Sequence, residues 1–324
     1  MQRQMDLNKN KYELLIKIAK LKFIELKQQK EIAEALKMSQ VKVSRLLNKA
    51  ISMGLIKFKI EELSPEISEM ERAIEKKYKI NRVILVKTET NNLNTLTQKV
   101  GEKAADFLLT IITDNELIGI CQGATVRETV KALPIVIKKQ IDVVQILGGS
   151  SYELLYGSDG MESTKIFTEK FNIKDPKILY APLFVDNSFI REAIISDSGV
   201  KRIMQYFKSI DLVLAGIGAF NKELNSNLFK LGKLNKNEVK ELEGKKVVGD
   251  IFAHFFDSDG KFVECAADNR TITISVEDFM KIKYRLAVAC GIHKSYAIHS
   301  ALKGQIVNYL VTDTAVGEKL IELN

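Results

Sequence analysis

From residue 81 to residue 324, short apolar runs alternate with stretches of helical period, and this alternation restricts the chain more than any other feature. The runs are RVILV, LIGIC, IDVVQIL, KILYAP, DLVLAGIG, VVGDIF, RTITISV and RLAVAC. Between and after them, helices are expected near residues 98–112, after Thr125, and near 163–171, 189–207 and 295–303. A strand that returns through a helix lands parallel to its predecessor, so the pattern predicts an α/β domain with a Rossmann-like, mostly parallel sheet. Apolar residues make up 46% of the chain and charged residues 28%, which is enough to bury a sizeable core. At 324 residues two or three domains are expected.

The first sixty residues follow a different rhythm. Leu14, Leu15, Ile18, Leu21 and Ile24 mark the buried stripe of a helix over residues 9–26. A shorter helix over 28–36 turns Ile32, Ala33 and Leu36 inward, and the small Ala33 and Ala35 permit close helix contact. Lys37-Met38-Ser39 comes next, and the Ser39 hydroxyl suits an N-cap. A third helix from residue 40 to about 53 buries Val43, Leu46, Leu47 and Ala50, with Gly54 as its stop. Residues 55–60, LIKFKI, alternate like a short wing strand.

Two short helices around a three-residue turn have the spacing of a helix-turn-helix, whose later helix enters the major groove of DNA. The outward residues of that helix, Gln40, Lys42, Ser44, Arg45, Asn48 and Lys49, are the candidate DNA contacts. Arg can bond guanine in bidentate fashion and Gln can do so with adenine, whereas Lys and Ser more often meet phosphate. The plainer reading is a three-helix bundle with a polar face. Charge argues against it: residues 1–60 hold 14 Lys and Arg against 5 Asp and Glu, and the remainder holds 35 against 36. A basic module on a neutral body is expected where only the module meets a polyanion. One position departs from the usual pattern, because Lys37 stands where the turn often has Gly. A left-handed conformation there costs a non-Gly residue on the order of 1 kcal/mol.

Ser64-Pro65 punctuates the chain, and Ile67, Met70, Ile74 and Tyr78 then outline an amphipathic helix. It reads equally as a linker helix or as the first helix of the next domain. The expected division is an all-α DNA-binding domain over 1–62, a linker helix over 63–80 and an α/β domain over 81–324. No apolar stretch has the length of a signal peptide or a membrane span, so a cytoplasmic protein is expected. Cys121, Cys265 and Cys290 are odd in number and widely spaced, which fits reduced thiols. With His254, His293 and His299 they form no zinc-binding spacing, and no metal or cofactor is expected.

The string QKEIAEALKMSQVKVSRLLNKAISMGLIKFKI, taken together with motifs in the rest of the chain, resembles the SorC family of bacterial sugar-sensing transcriptional regulators. Those later motifs are Gly119-Ile-Cys-Gln-Gly-Ala-Thr125, Val144-Gln-Ile-Leu-Gly-Gly149, Leu214-Ala-Gly-Ile-Gly218, Val248-Gly-Asp250, Gly291-Ile-His-Lys294 and Ile306-Val-Asn-Tyr-Leu-Val-Thr-Asp313. The resemblance implies a helix-turn-helix joined to a domain similar to sugar-phosphate isomerases and deaminases. It assigns effector binding to the α/β domain over 81–324, and it further implies a double-stranded DNA operator, a phosphorylated sugar effector and a homodimer or homotetramer. Relatives often have an aromatic residue at the place of Gln122 and Ser or Thr at that of Ala124. Some carry a basic residue at the place of Leu147, so a Schiff base from that position is not expected in this chain.

Gly123, Ala124 and Thr125 form a strand-to-helix turn, where free amides and the positive helix end favour an anion. Gly148 and Gly149 end a second strand, and Gly216 and Gly218 a third. Glycine turns at one edge of a parallel sheet outline a ligand crevice. Asp250 and Gln145 are candidates for sugar hydroxyls, and the resemblance makes Lys294 a candidate for the phosphate. An empty tight turn is the plainer reading of each motif taken alone. The competing function is an isomerase or deaminase-like enzyme with an appended DNA-binding domain, for which Asp250, Glu264 and Asp268 are the available acids or bases. Deaminases of the related fold place a histidine soon after their GIG turn, whereas this chain continues Gly218-Ala-Phe-Asn221.

Overall fold

A computed structural model describes residues 12–56, 64–90, 92–136, 139–149, 160–220, 228 and 234–324. The chain divides into two compact units, Met1–Leu63 and Ser64–Asn324.

In the first unit, α1 is described over residues 12–19 and runs on into a π-helical turn, Lys20–Ile24. Next come α2, Gln29–Ala35, and α3, Gln40–Ser52. Ile18, Ile32, Ala33, Val43 and Leu47 form the core, with Leu14, Leu21, Leu36 and Leu46 packed around it. The structure corrects two expectations: Ile24 is exposed because the widened π turn rotates it off the stripe, and Ala35 faces solvent while Ala33 makes the close contact. Ser39 caps α3, its hydroxyl accepting from the Lys42 amide at 3.2 Å. Between α2 and α3, Lys37 has φ 49°. The Lys37 amide donates to the Glu34 carbonyl at 3.2 Å and the Met38 amide to Ala33 at 2.9 Å, the paired bonds that close a helix through a left-handed residue. Gly54, at φ 70°, ends α3 in the same way. Residues 57–60 of the expected wing lie outside the described residues.

The second unit is built on a six-stranded, wholly parallel sheet. In chain order its strands are β1 (Arg82–Val86), β2 (Leu117–Ile120), β3 (Asp142–Gln145), β4 (Leu212–Ala215), β9 (Tyr284–Val288) and β10 (Tyr309–Asp313). They lie side by side as β1-β10-β9-β4-β2-β3. Buried on both faces, they read as continuous apolar runs. Leu212 and Leu214 enter the core on one face, Val213 and Ala215 that on the other. A smaller antiparallel sheet, β5 (Gly218–Ala219), β6 (Val247–Ile251), β7 (His254–Asp257) and β8 (Phe262–Val263), extends the unit. The run VVGDIF therefore belongs to a second sheet that periodicity did not separate from the first.

The helices are α4 (Pro65–Tyr78), α5 (Leu93–Ile111), α6 (Ala124–Ala132), α7 (Gly160–Phe171), α8 (Ser188–Ser196), α9 (Ser198–Gln205), α10 (Lys236–Gly244), α11 (Val276–Lys281), α12 (Ser295–Lys303) and α13 (Thr314–Glu322). The expected single helix over 189–207 is two, because the Asp197 carboxylate accepts from the Gly199 and Val200 amides and starts α9 afresh. KILYAP and RTITISV, expected as strands, make only isolated bridges, Val144 to Lys177, Gly149 to Pro182, Leu147 to Thr273 and Phe184 to Thr271. Pro182 has no amide to continue a ladder. The helix expected as a linker packs against β1 and α13 within the second unit. β1 is an edge strand, and α4 covers that edge: Glu75 accepts from the Val83 amide and Glu71 from that of Leu85, each at 2.9 Å. Among the described residues no helix is long and apolar enough to cross a membrane.

Candidate functional site

On α3, Gln40, Lys42, Arg45, Asn48 and Lys49 are exposed and Ser44 is half-buried. Val43, Leu47 and Ala50 face the core, so one turn of the helix separates the packed stripe from a polar, basic face. The Ser39 cap puts Gln40 and Lys42 in the first turn, the part of a recognition helix that reaches base edges.

In the second unit the chain passes from β2 to β3 on one side and later places β4 on the other side of β2. Such a switch leaves a crevice beyond the carboxyl ends of the two central strands. A cleft of about 180 Å³ lies there, lined by Cys121 to Thr125 after β2, Gly216 to Gly218 after β4, Val288 at the end of β9, and Cys290, His293 and Lys294 after it. Asp250, Phe252 and Ala253 close it from the antiparallel sheet, and Leu93 and Thr97 from the start of α5.

Gly123 takes φ 139° as it turns from β2 into α6, a conformation closed to other side chains. No side chain caps α6, and its first ladder bond is the Arg127 amide to the Gly123 carbonyl at 2.9 Å. The amides of the first turn are thus aimed at the cleft with the positive end of the helix dipole. Across from them, Lys294 donates from Nζ to the Ile217 carbonyl at 2.9 Å, which ties the 292–294 turn to the loop after β4. Gly218 pairs with Asp250 in register, and a Cβ at residue 218 would stand 2.0 Å from Asp250 Oδ1. Glycine is what admits the buried carboxylate to the cleft.

Asp313 holds the far wall, although sequence reasoning gave it no role. Its Oδ2 accepts from the Gly291 amide at 2.7 Å, while Oδ1 accepts from the Val316 amide at 3.1 Å and caps α13. Phe252 and Ala253, also missed, form the two-residue turn between β6 and β7 with φ 43° and 65°. Such turns favour Asn or Gly, so this one is strained at the cleft wall. A helical or strand pattern carries no sign of a tight turn made from Phe and Ala. Burial pushes the Cys121 thiol up to about 12 and raises that of Cys290, which leaves both protonated at neutral pH.

Seven of the ten expected effector residues, Gly123, Ala124, Thr125, Gly216, Gly218, Asp250 and Lys294, line this one cleft. Gln145, Gly148 and Gly149 are not among its described lining residues. Gln145 is fully buried on β3 with Nε2 donating to the Leu147 carbonyl at 2.7 Å. Gly148 accommodates the backbone of Pro182, which a Cβ would meet at 2.4 Å. Gly149 exchanges backbone bonds with Ala181 and Leu183. The acids Glu264 and Asp268 line a separate cleft with His254, whose Nδ1 stands 3.3 Å from Asp268 Oδ1. Among the described residues no group of three or more His, Cys, Asp or Glu could hold a metal ion.

Residues 65–322 match the family model described as "Putative sugar-binding domain". The chain belongs to this family. Its match covers α4 and everything after it to the end of α13. The Deoxyribonucleoside regulator of Bacillus subtilis (strain 168) is 28% identical over 315 residues, covering 97% of this chain and 99% of that protein. The Sorbitol operon regulator of Klebsiella pneumoniae is 26% identical over 319 residues, with the same coverage of 97% and 99%. The crystal structure of full-length SorC from Klebsiella pneumoniae superposes with a TM-score of 0.77 at 25% identity, covering 96% of this chain and 98% of that one. A sugar-binding regulator of the SorC family, the resemblance carried by the sequence motifs, is therefore what the second unit and the full-length match both support.

Proposed function

We propose that this protein is a DNA-binding transcriptional regulator of carbohydrate genes, and that a phosphorylated sugar in the cleft of the second unit sets its operator affinity. One observation carries the ligand class: an uncapped helix N-terminus, a lysine and a buried carboxylate line a single cleft. Amides and Lys294 suit a phosphate, and Asp250 suits sugar hydroxyls. The operator part is supported by the outward Gln40, Lys42, Arg45, Asn48 and Lys49 of α3, with Ser44 beside them, and by relatives named as regulators of sugar operons. The boundaries 1–62, 63–80 and 81–324 are functional divisions in this reading, with the 63–80 helix acting from within the packed second unit. The protein is cytoplasmic and acts as a homodimer or homotetramer, because one helix-turn-helix reads too few bases.

A catalytic role is disfavoured. General acid–base work needs titratable groups converging on one substrate. Of the three acids the sequence offers, Asp250 stands in the cleft with His293 and Lys294, the latter bound to the Ile217 carbonyl, whereas Glu264 and Asp268 line another, and the two cleft thiols are held protonated.

The test is operator binding by the full chain, measured from about 50 to 200 mM salt with and without a panel of sugar phosphates. Steep weakening with salt and a further change with at least one sugar phosphate are expected. A flat salt response refutes the operator reading. No response to any panel member, in operator binding or in thermal stability, refutes the effector reading.

A further inference from the structure

Gln122 is a polar residue of the cleft to which the proposed function gives no role. It joins β2 to the turn before α6 and lines the cleft beside Gly123. Among the described residues its buried Oε1 accepts no hydrogen bond. The side chain is hemmed in by the first residue of α7, since a Cβ on Gly160 would lie 3.6 Å from the Gln122 Cβ. Two cations of the adjoining elements are committed elsewhere. Arg127 closes a two-bond pair with Glu162, Nε to Oε2 at 3.0 Å and Nη2 to Oε1 at 3.1 Å. Lys294 reaches the Ile217 carbonyl. A buried acceptor without a partner is unfavourable, and a ligand that supplies a donor removes that penalty.

We propose that Gln122 is the specificity-determining residue of the cleft, its amide bonding one sugar hydroxyl so that the site selects the hydroxylated sugar phosphate over the form lacking that group. The inference rests on reading the cleft as a sugar-phosphate site. A hydroxyl both donates and accepts, so it satisfies either end of a primary amide. Because Gln122 leads into the α6 amide turn, the hydroxyl it meets belongs to the end of the sugar nearer the phosphate. Asp250, which lines the cleft from β6, is left for another hydroxyl. A deoxy analogue fills the cleft and leaves the Gln122 oxygen unpaired, as in the unliganded protein. The selection expected from one such bond is about five- to a hundredfold in affinity.

The experiment is calorimetric titration of the full chain with ribose 5-phosphate and fructose 6-phosphate, each against its singly deoxygenated forms, with inorganic phosphate as the anion control. For wild type, one deoxy form is expected to bind at least fivefold more weakly than its parent. Gln122→Met has nearly the same volume and no hydrogen-bonding group, and is expected to bind parent and deoxy form alike, at the deoxy form's affinity. The unliganded variant should melt no lower than wild type, since it loses an unpaired buried amide oxygen. If it does not fold, Gln122→Asn, which withdraws the amide by one methylene, should likewise erase the discrimination. Discrimination that survives in the variant, or no discrimination in wild type, overturns the inference and leaves the phosphate-binding reading intact. Failure of wild type to bind any of these ligands overturns both.

Discussion

Lys37 is the residue of the first unit whose replacement the structure prices most directly, because it sits at φ 49° with its side chain exposed. A left-handed conformation costs a residue with a Cβ about 1–2 kcal/mol. Glycine removes that cost but gives back about 0.4–1 kcal/mol through the greater freedom of its unfolded chain. Losing a cation beside the C-terminus of α2 subtracts about 0.3 kcal/mol more. Lys37→Gly should therefore stabilise the unit by about 0.5 kcal/mol, a little more than doubling its folding constant. Lys37→Asn should move the same way, since Asn tolerates the left-handed region, and Lys37→Val should lose about 1 kcal/mol because a branched Cβ does not. The readout is hydrogen-exchange protection of the α3 amides of Leu46 and Leu47, compared across the four proteins under conditions where exchange follows the opening equilibrium. The expected order is Gly and Asn above Lys, and Lys above Val. Equal protection in the Val and Gly proteins would refute the left-handed turn as the weak point of the helix-turn-helix.

Arg45→Ala should relax operator preference at one base pair by about 1–3 kcal/mol, read by competition among single-base operator variants; equal weakening on every variant would make Arg45 a phosphate contact. Acid should loosen the second unit through Glu238. Burial alone would raise its pKa, but the Arg270 guanidinium at 2.7 and 2.8 Å and the Asn235 amide together hold it below the ordinary glutamate value. A depressed carboxyl stabilises the fold above its unfolded pKa of about 4.5 and loses that contribution as pH falls through the folded value. Glu238→Gln should be less stable at pH 7 and show a shallower loss of melting temperature below about pH 4.5; a parallel loss would refute the role of the pair. Asp313→Asn should raise exchange of the Gly291 amide and weaken sugar-phosphate binding about tenfold, and unchanged exchange would mean that the carboxylate does not hold the cleft wall.

The sheet was legible because its strands are buried on both faces and read as unbroken apolar runs, and the α3 face because period and charge agreed there. Elements tied by single bridges were not legible: an apolar run such as RTITISV looks alike whether it extends a ladder or crosses it once. The cleft was legible where it is made of glycine turns. Gln145, Gly148 and Gly149 follow the same grammar and stand outside the described lining, since a glycine pair that passes close to Pro182 looks, in sequence, like one that admits a ligand. Asp313 and the Phe252-Ala253 turn act through backbone geometry across distant segments, which periodicity cannot express.

That long-range geometry joins the cleft to the first helix of the same unit. Asp313 grips the Gly291 amide with one oxygen and starts α13 with the other, so the cleft wall and α13 share one carboxylate. α13 lies against α4, where Gly317 leaves room for Met70, and a Cβ there would come within 2.9 Å of its sulfur. At the other end of α13, Lys77 donates to the carbonyls of Leu320 and Ile321 at 3.0 Å, and the Tyr78 hydroxyl donates to Leu320 at 2.9 Å. α4 is thus fastened to α13 near its middle and at its last turn, and its own first turn comes directly after the boundary between the units. A ligand alters DNA affinity only if it prefers one of two arrangements. In the proposed reading, Asp313 is the residue through which a ligand at the 291–294 wall would bear on α13 and, through it, on α4. Because one side chain serves both, Asp313→Asn is expected to lower sugar-phosphate affinity and the proposed response of operator binding together; loss of one without the other would refute the shared anchor.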